Sequence, residues 1–166
     1  MIHNSKLETA RLQIRPFCAE DAPRMVEIFA DPMVARFVGE GNSLAAEEAT
    51  LWMRNSRANL ARHGNGTGAV VERVSERVIG WAGIARPDDE EPEIIYGFER
   101  SAWGKGFGTE LLAALIGYAR QTGLKPIRAT VYSENTRSIA LLDNAGFRLA
   151  DAAWKEDPAI RLYLLD

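Results

Sequence analysis

Apolar and polar positions change period several times along the chain, and each change marks an element. In "LETARLQIR" (7–15), Leu12 and Ile14 alternate with Arg11, Gln13 and Arg15, the period of a half-buried strand. "CAEDAPRMVEIFAD" carries acids at its start and Met25, Ile28 and Phe29 at helical spacing, which predicts a helix from near Glu20. A second helix is predicted from Ser43, a candidate cap, through Glu47 and Glu48 to the break at "HGNGTG". "GAVVERV", "SE" and "RVIGWAGIAR" then read as strand, tight turn and strand, an antiparallel hairpin. The acidic "PDDEEPE" makes another turn before "EIIYGF" (93–98). Gly97 inside that apolar run signals either a bulge or a place where something approaches the backbone closely.

Beyond this point the helical period returns. Residues 106–122 place Phe107, Leu111, Leu115 and Tyr118 on one face, with Arg120 in the last turn and Gly123 as the stop. "KPIRATVY" is a strand, "NTRSIALLDNAG" a helix capped by Asn135 and stopped by Gly146, and "FRLADAAW" and "AIRLYLL" are the last strands. The order β-α-α-β-β-β-α-β-α-β-β joins an antiparallel front half to one β-α-β unit. No repeat, linker or low-complexity tract interrupts it, so a single domain over 1–166 is expected.

Composition narrows the partners. The 166 residues, 46% hydrophobic, suffice for one well-buried core. A net charge of −3, without a basic stripe interleaved with aromatics, argues against nucleic acid. "LLAALIGYA" (111–119) falls short of the roughly 20 residues of a bilayer span, and "MIHNSKLETARLQ" lacks the apolar stretch of a signal peptide. A cytoplasmic location with no membrane partner is therefore expected. Cys18, His3 and His63 leave almost no material for a disulfide framework, a Cys/His pair or a metal site.

The densest chemistry is "WGKGFGTELL" (103–112), glycines around a lysine at a predicted helix start. A triphosphate loop requires Ser or Thr after the lysine, and Gly106 follows Lys105 instead. A dinucleotide fingerprint would use Gly104 and Gly106 with Glu134 on the ribose, but Thr109 stands at its third glycine and only residues 135–166 follow Glu134, too few for that fold. What remains is a pyrophosphate held on the amides of residues 104–109 at the helix N-terminus, or a glycine-rich turn that only redirects the chain.

At these residues the chain resembles the GNAT-superfamily acetyltransferases. Their phosphate-binding signature, Gln/Arg-x-x-Gly-x-Gly/Ala, is matched at Gly106 and Gly108, with Trp103 at its first position as in the RimJ/RimL-like branch. "LETARLQIRPF", "EIIYGF" and "NTRSIALLDNAGF" are similar to further blocks of that branch. The resemblance implies an α/β (α+β) fold: a mixed, mostly antiparallel sheet flanked by helices on both faces, with "EIIYGF" and "PIRATVY" splayed apart around the pantetheine arm of acetyl-CoA. It implies acetyl transfer to a primary amine, a protein N-terminal α-amine among the acceptors, by a monomer or a homodimer. A small-amine, polyamine or antibiotic acceptor and a non-catalytic CoA-binding sensor are the alternatives.

The same resemblance suggests roles. Glu93 is the candidate base, or simply the end of a solvated acidic turn. A backbone N–H near Gly97 or Phe98, freed by a bulge, would polarise the acyl oxygen. Tyr96 lines the pocket or packs the slot. The tyrosine that many of these enzymes use as acid is replaced by Leu142, which leaves Ser138 as the matching hydroxyl, or as an ordinary first-turn serine. Trp103, Gly104, Lys105, Gly106, Phe107, Gly108 and Thr109 form the cofactor loop. Asn135 holds the pantetheine arm, caps its helix, or both, and Arg137, like Lys105, contacts phosphate or is an ordinary exposed cation.

Overall fold

Leu12 and Ile14 are buried as their alternation predicts, whereas the strand they belong to is shorter than 7–15. A turn at Thr9–Arg11, closed by Thr9 N–H to the Leu12 carbonyl (2.9 Å), splits that stretch into β1 (Leu7–Glu8) and β2 (Leu12–Pro16). The computed structural model describes residues 7–86 and 91–166; His3 and residues 87–90 of the acidic turn lie outside them. After β2 come α1 (Asp21–Phe29), α2 (Pro32–Ala35), α3 (Ala46–His63), β3 (Thr67–Glu72), β4 (Val78–Ala85), β5 (Glu93–Phe98), α4 (Phe107–Gln121), β6 (Ile127–Tyr132), α5 (Thr136–Asn144), β7 (Arg148–Asp151) and β8 (Ile160–Leu165).

Local chemistry explains most boundaries. Asp31 accepts from the Met33 N–H (2.9 Å) ahead of Pro32, which starts the one-turn α2. Ser43 is not the cap of α3. The helix starts two residues later, where the Ala45 N–H donates to Glu48 (2.8 Å). The β3–β4 connection spans residues 73–77 rather than a two-residue turn, and Glu76 in it has a φ of +56°. "FRLADAAW" stays extended only through Asp151. Asn135 caps α5 as expected, its side chain accepting from the Ser138 N–H (3.3 Å).

The strands form one sheet in the order β1-β2-β3-β4-β5-β6-β8-β7, and every neighbouring pair is antiparallel except β5 and β6. Period-two alternation sends side chains to two cores. Val70, Ala82, Ile84 and Ile94 pack under α4, whose Phe107, Leu111, Leu115 and Tyr118 are all buried, together with Leu142 of α5. Ala69 and Trp81 point the other way, against Met25, Ile28 and Phe29 of α1 and Met53 of α3. Each fully buried aliphatic or aromatic side chain contributes about 1.5–3 kcal/mol. The two faces hold the sheet like a clamp, and its central strands are therefore positioned from both sides.

Candidate active site

The sheet consists of two well-laddered halves that barely meet. β4 and β5 stay in register at six pairs, from Ala85↔Glu93 to Gly80↔Phe98, and β6 and β8 from Ile127↔Leu165 to Tyr132↔Ile160. Between the halves, β5 and β6 share the single register pair Glu93↔Arg128, at their N-terminal ends. Running parallel from that point, they part toward Phe98 and Tyr132. A cavity of about 720 Å³ occupies the wedge, within the range of small-molecule sites.

Gly97 does not break the ladder, and the bulge expected there is absent; the register shift in this part of the sheet falls between Val70 and Val71. Gly97 is glycine because of a close approach from the neighbouring strand. A Cβ on it would overlap the Trp81 indole, with Cε2 at 2.7 Å and Cζ2 and Cη2 closer still. The alternation of an antiparallel pair then selects the free amides. Glu99 N–H donates to the Ile79 carbonyl (2.8 Å), so Gly97, two residues back, also directs its N–H to β4. Tyr96 and Phe98 turn theirs to the gap. The Phe98 carbonyl confirms this orientation by accepting from Trp103 Nε1 (3.0 Å). Gap-facing donors, the Phe98 N–H at the open end among them, thus arise by strand parity rather than by a bulge.

At the open end of the wedge stands the N-terminus of α4. Gly106 precedes it with a φ of +80°, a left-handed conformation that favours glycine, and it offers no side-chain cap. The first intrahelical bond is Glu110 N–H to the Gly106 carbonyl (3.2 Å), which leaves the amides of Phe107, Gly108 and Thr109 without helical partners. With the helix dipole behind them they form an anion-binding cradle. Gly108 has a further reason to be glycine: a Cβ there would fall 2.7 Å from Leu141 Cδ1, so its lack of a side chain lets α5 pack close.

The middle of the cavity holds a hydroxyl pair. Tyr96 Oη lies 3.0 Å from Ser138 Oγ, joining β5 to the first turn of α5 across the wedge. Burial pushes the Tyr96 phenol above its ordinary value, against the opposing effect of the Ser138 hydrogen bond, so the ring stays protonated and able to donate. Arg137 lies over the Trp103 ring at 4.8 Å and forms no ion pair among the described residues. Leu142, where a tyrosine was a possible acid, is buried in the core.

The cavity gathers Tyr96, Gly97, Phe98, Trp103, Gly104, Gly106, Phe107, Gly108, Thr109, Asn135, Arg137 and Ser138. Two expected site residues do not line it. Lys105 is outside the lining, and its backbone carbonyl accepts from Arg11 Nη1 (2.8 Å). Glu93 sits at the closed end of the wedge, about 10 Å along the strand from Tyr96, where Thr130 Oγ1 donates to it (3.1 Å). A wall not read from the sequence comes from α2 and its sequel: Met33, Val34, Arg36, Phe37 and Val38, with Trp81. The sequence reading missed α2; Asp31 ahead of Pro32 is the signal that could have found it, but nothing local places it over the wedge. Glu134 is the carboxylate among the lining residues, and it is tied to Arg36 (2.6 Å).

A family model for the acetyltransferase (GNAT) domain matches residues 11–148. The chain belongs to the GNAT acetyltransferases. Among its relatives is the Uncharacterized N-acetyltransferase p20 of Bacillus licheniformis, 33% identical over 86% of this chain and 82% of the relative. The same fold is found in an acetyltransferase of Agrobacterium tumefaciens, with a TM-score of 0.84 at 24% identity over 98% of this chain and 94% of that one. It is found again in RimL, a ribosomal L7/L12 α-N-protein acetyltransferase solved in complex with coenzyme A, with a TM-score of 0.81 at 14% identity over 98% and 99% of the two chains. In this GNAT acetyltransferase the parted central strands bring the uncapped α4 amides to the same cavity as Arg137, which has no ion-pair partner among the described residues. Among the described residues, no group of His, Cys, Asp and Glu is arranged to hold a metal ion, and no helix is long and apolar enough to cross a membrane.

Proposed function

We propose that this acetyltransferase uses acetyl-CoA to acetylate a primary amine with the basicity of an α-amine, on one domain. The observation that carries the reading is the wedge between β5 and β6, with orphaned amides at its open end and hydroxyls in its middle. When bound, acetyl-CoA supplies an activated acetyl thioester. The amides of Phe107, Gly108 and Thr109, with Arg137, bind the phosphates. Asn135, whose Oδ1 is committed to the α5 cap, offers its amide nitrogen to the pantetheine arm. The Phe98 N–H is aimed into the gap, where an acyl oxygen gains charge during transfer. Ser138, backed by Tyr96, donates a hydrogen bond at the departing sulfur. A phenol raised above its ordinary pKa is a weaker acid toward a thiolate whose conjugate acid lies near about 8.5, and its hydrogen bond with Ser138 orients the serine hydroxyl in the wedge.

The acceptor class follows from the missing base. With Glu93 outside the cavity, the carboxylate in the lining among the described residues is Glu134, exposed and paired with Arg36, so no buried carboxylate faces the middle of the wedge to act as base. An α-amine, with a pKa of about 8, is roughly one-tenth neutral at pH 7, whereas a lysine amine near 10.4 is neutral in fewer than one molecule in a thousand. The lining therefore suits the α-amine, and a polyamine would find one carboxylate rather than several. The test is release of free thiol from acetyl-CoA against a panel of amine-terminated peptides, small α-amines, lysine side-chain analogues and polyamines. Turnover led by α-amines is expected. Turnover confined to polyamines or lysine-type amines would overturn the acceptor reading, and CoA binding without turnover on any amine would overturn catalysis.

A further inference from the structure

The β1–β2 turn reaches the cofactor loop from outside the cavity. Arg11 Nε pairs with Glu110 Oε2 (2.7 Å), Nη1 donates to the Lys105 carbonyl (2.8 Å), and the guanidinium lies over the Phe107 ring at 4.5 Å. Glu110 Oε1 accepts from the Arg11 N–H (2.8 Å) and from the Thr9 hydroxyl (2.5 Å). The turn is itself anchored, since the Arg73 N–H donates to the Arg11 carbonyl (2.9 Å) and Arg73 Nη1 to the Thr9 carbonyl (2.8 Å). One arginine thus touches three consecutive parts of the loop and helix start.

We propose that Arg11 is the positioning residue for phosphate binding, holding the Lys105–Gly106 peptide so that the Gly106 N–H joins the cradle. This rests on the acetyl-CoA reading above. In a trans peptide the carbonyl and the following N–H point to opposite sides. Arg11 clamps the Lys105 carbonyl on the outer side, and Lys105 does not line the cavity while Gly106 does. The Gly106 amide is thereby turned inward beside those of Phe107, Gly108 and Thr109. Arg11 has a second effect on the same site. Glu110 is a carboxylate in the first turn of α4, where it competes with a phosphate for the positive end of the helix. Arg11 and Thr9 together occupy both of its oxygens and draw it to the outer face.

The test compares two ligands. Coenzyme A is titrated calorimetrically into wild type, Arg11→Met and Arg11→Lys, and acetyl-pantetheine, which lacks the pyrophosphate, serves as a truncated acyl donor. Loss of hydrogen bonds from a charged group predicts CoA binding about tenfold to a hundredfold weaker in Arg11→Met. The kcat/KM with acetyl-pantetheine should stay within about twofold of wild type. Arg11→Lys keeps the charge near Glu110 but cannot span to the Lys105 carbonyl as well, and it should bind CoA with intermediate affinity. Wild-type CoA affinity in both variants would overturn the proposal, as would equal losses with CoA and acetyl-pantetheine, which mark general structural damage. Should Arg11→Met not fold, the comparison of Arg11→Lys with wild type decides by the same criteria. Failure of the wild-type protein to bind CoA would instead overturn the parent reading.

Discussion

Replacing Gly97 with alanine adds one methyl group at the point where β5 meets Trp81. That Cβ would stand 2.7 Å from Cε2 and nearer to Cζ2 and Cη2, far inside an ordinary carbon–carbon contact. The ring cannot simply step aside. It is 3% exposed and is boxed by Phe29, with ring centroids 4.7 Å apart, and by Trp52 at 6.2 Å. Either β5 is displaced from β4 or the aromatic cluster repacks, and overpacking of this kind costs about 1–3 kcal/mol. For a chain of this size, each kcal/mol lowers Tm by about 2–4 °C, so a drop of several degrees is expected in thermal unfolding followed by circular dichroism. Trp81 also lines the cavity, so CoA affinity should fall alongside Tm. Adding Trp81→Phe should recover part of the loss, with a coupling energy above about 1 kcal/mol because the two residues touch. An unchanged Tm and CoA affinity in Gly97→Ala would refute the close-approach explanation, as would strict additivity in the double variant.

Further outcomes follow from the same geometry. Tyr96→Phe deprives Ser138 Oγ of its partner, and Ser138→Ala removes the hydroxyl at the sulfur; each should lower kcat about threefold to tenfold with CoA affinity unchanged, read by thiol release and calorimetry. Because Tyr96 titrates above its ordinary value, kcat/KM should rise with pH to a plateau near the acceptor's own pKa, with no second limb from the phenol below about pH 10. Glu93→Gln should leave that profile in place, and a profile that loses its ascending limb in this variant would restore Glu93 as the base. Burial tends to raise the Asp21 carboxyl, but the hydrogen bonds from Arg15 and the Cys18 N–H outweigh it and hold it below the ordinary range. A depressed folded pKa stabilises above the unfolded value of about 3.9, and that stability is lost as pH falls through the folded pKa. Asp21→Asn loses charge-assisted hydrogen bonds and should cost about 1.5–3 kcal/mol at pH 7 in urea unfolding, and it should flatten the acid limb of the stability profile.

What the sequence made legible was local. The face of α4, the Asn135 cap, the Gly123 and Gly146 stops and the two-fold alternation of Leu12 and Ile14 depend on neighbours within a turn or two of the chain, and all are realised. Misreadings arose where a distant segment decided the outcome. Gly97 admitted a bulge or a close approach, and only the register that lays Trp81 across it chooses the latter. Glu93 looked like a slot residue because it begins the slot strand, but the wedge opens at the other end of that strand. Ser43 is as good a cap by type as any, yet α3 begins where Glu48 can reach the Ala45 amide. Nothing local in "TAR" announces that Arg11 will reach Lys105 and Glu110, nor that Tyr96 and Ser138 will meet across the wedge.

The central claim is that α4 grips a pyrophosphate at the mouth of the wedge while the thioester end lies beside Phe98. A crystal structure of the protein with CoA tests it most directly. The phosphate oxygens should accept hydrogen bonds from the amides of Gly106 through Thr109, and the sulfur should lie between β5 and β6 near Ser138 Oγ. A cofactor bound elsewhere, or β5 and β6 laddered along their full length with no gap, would contradict the account.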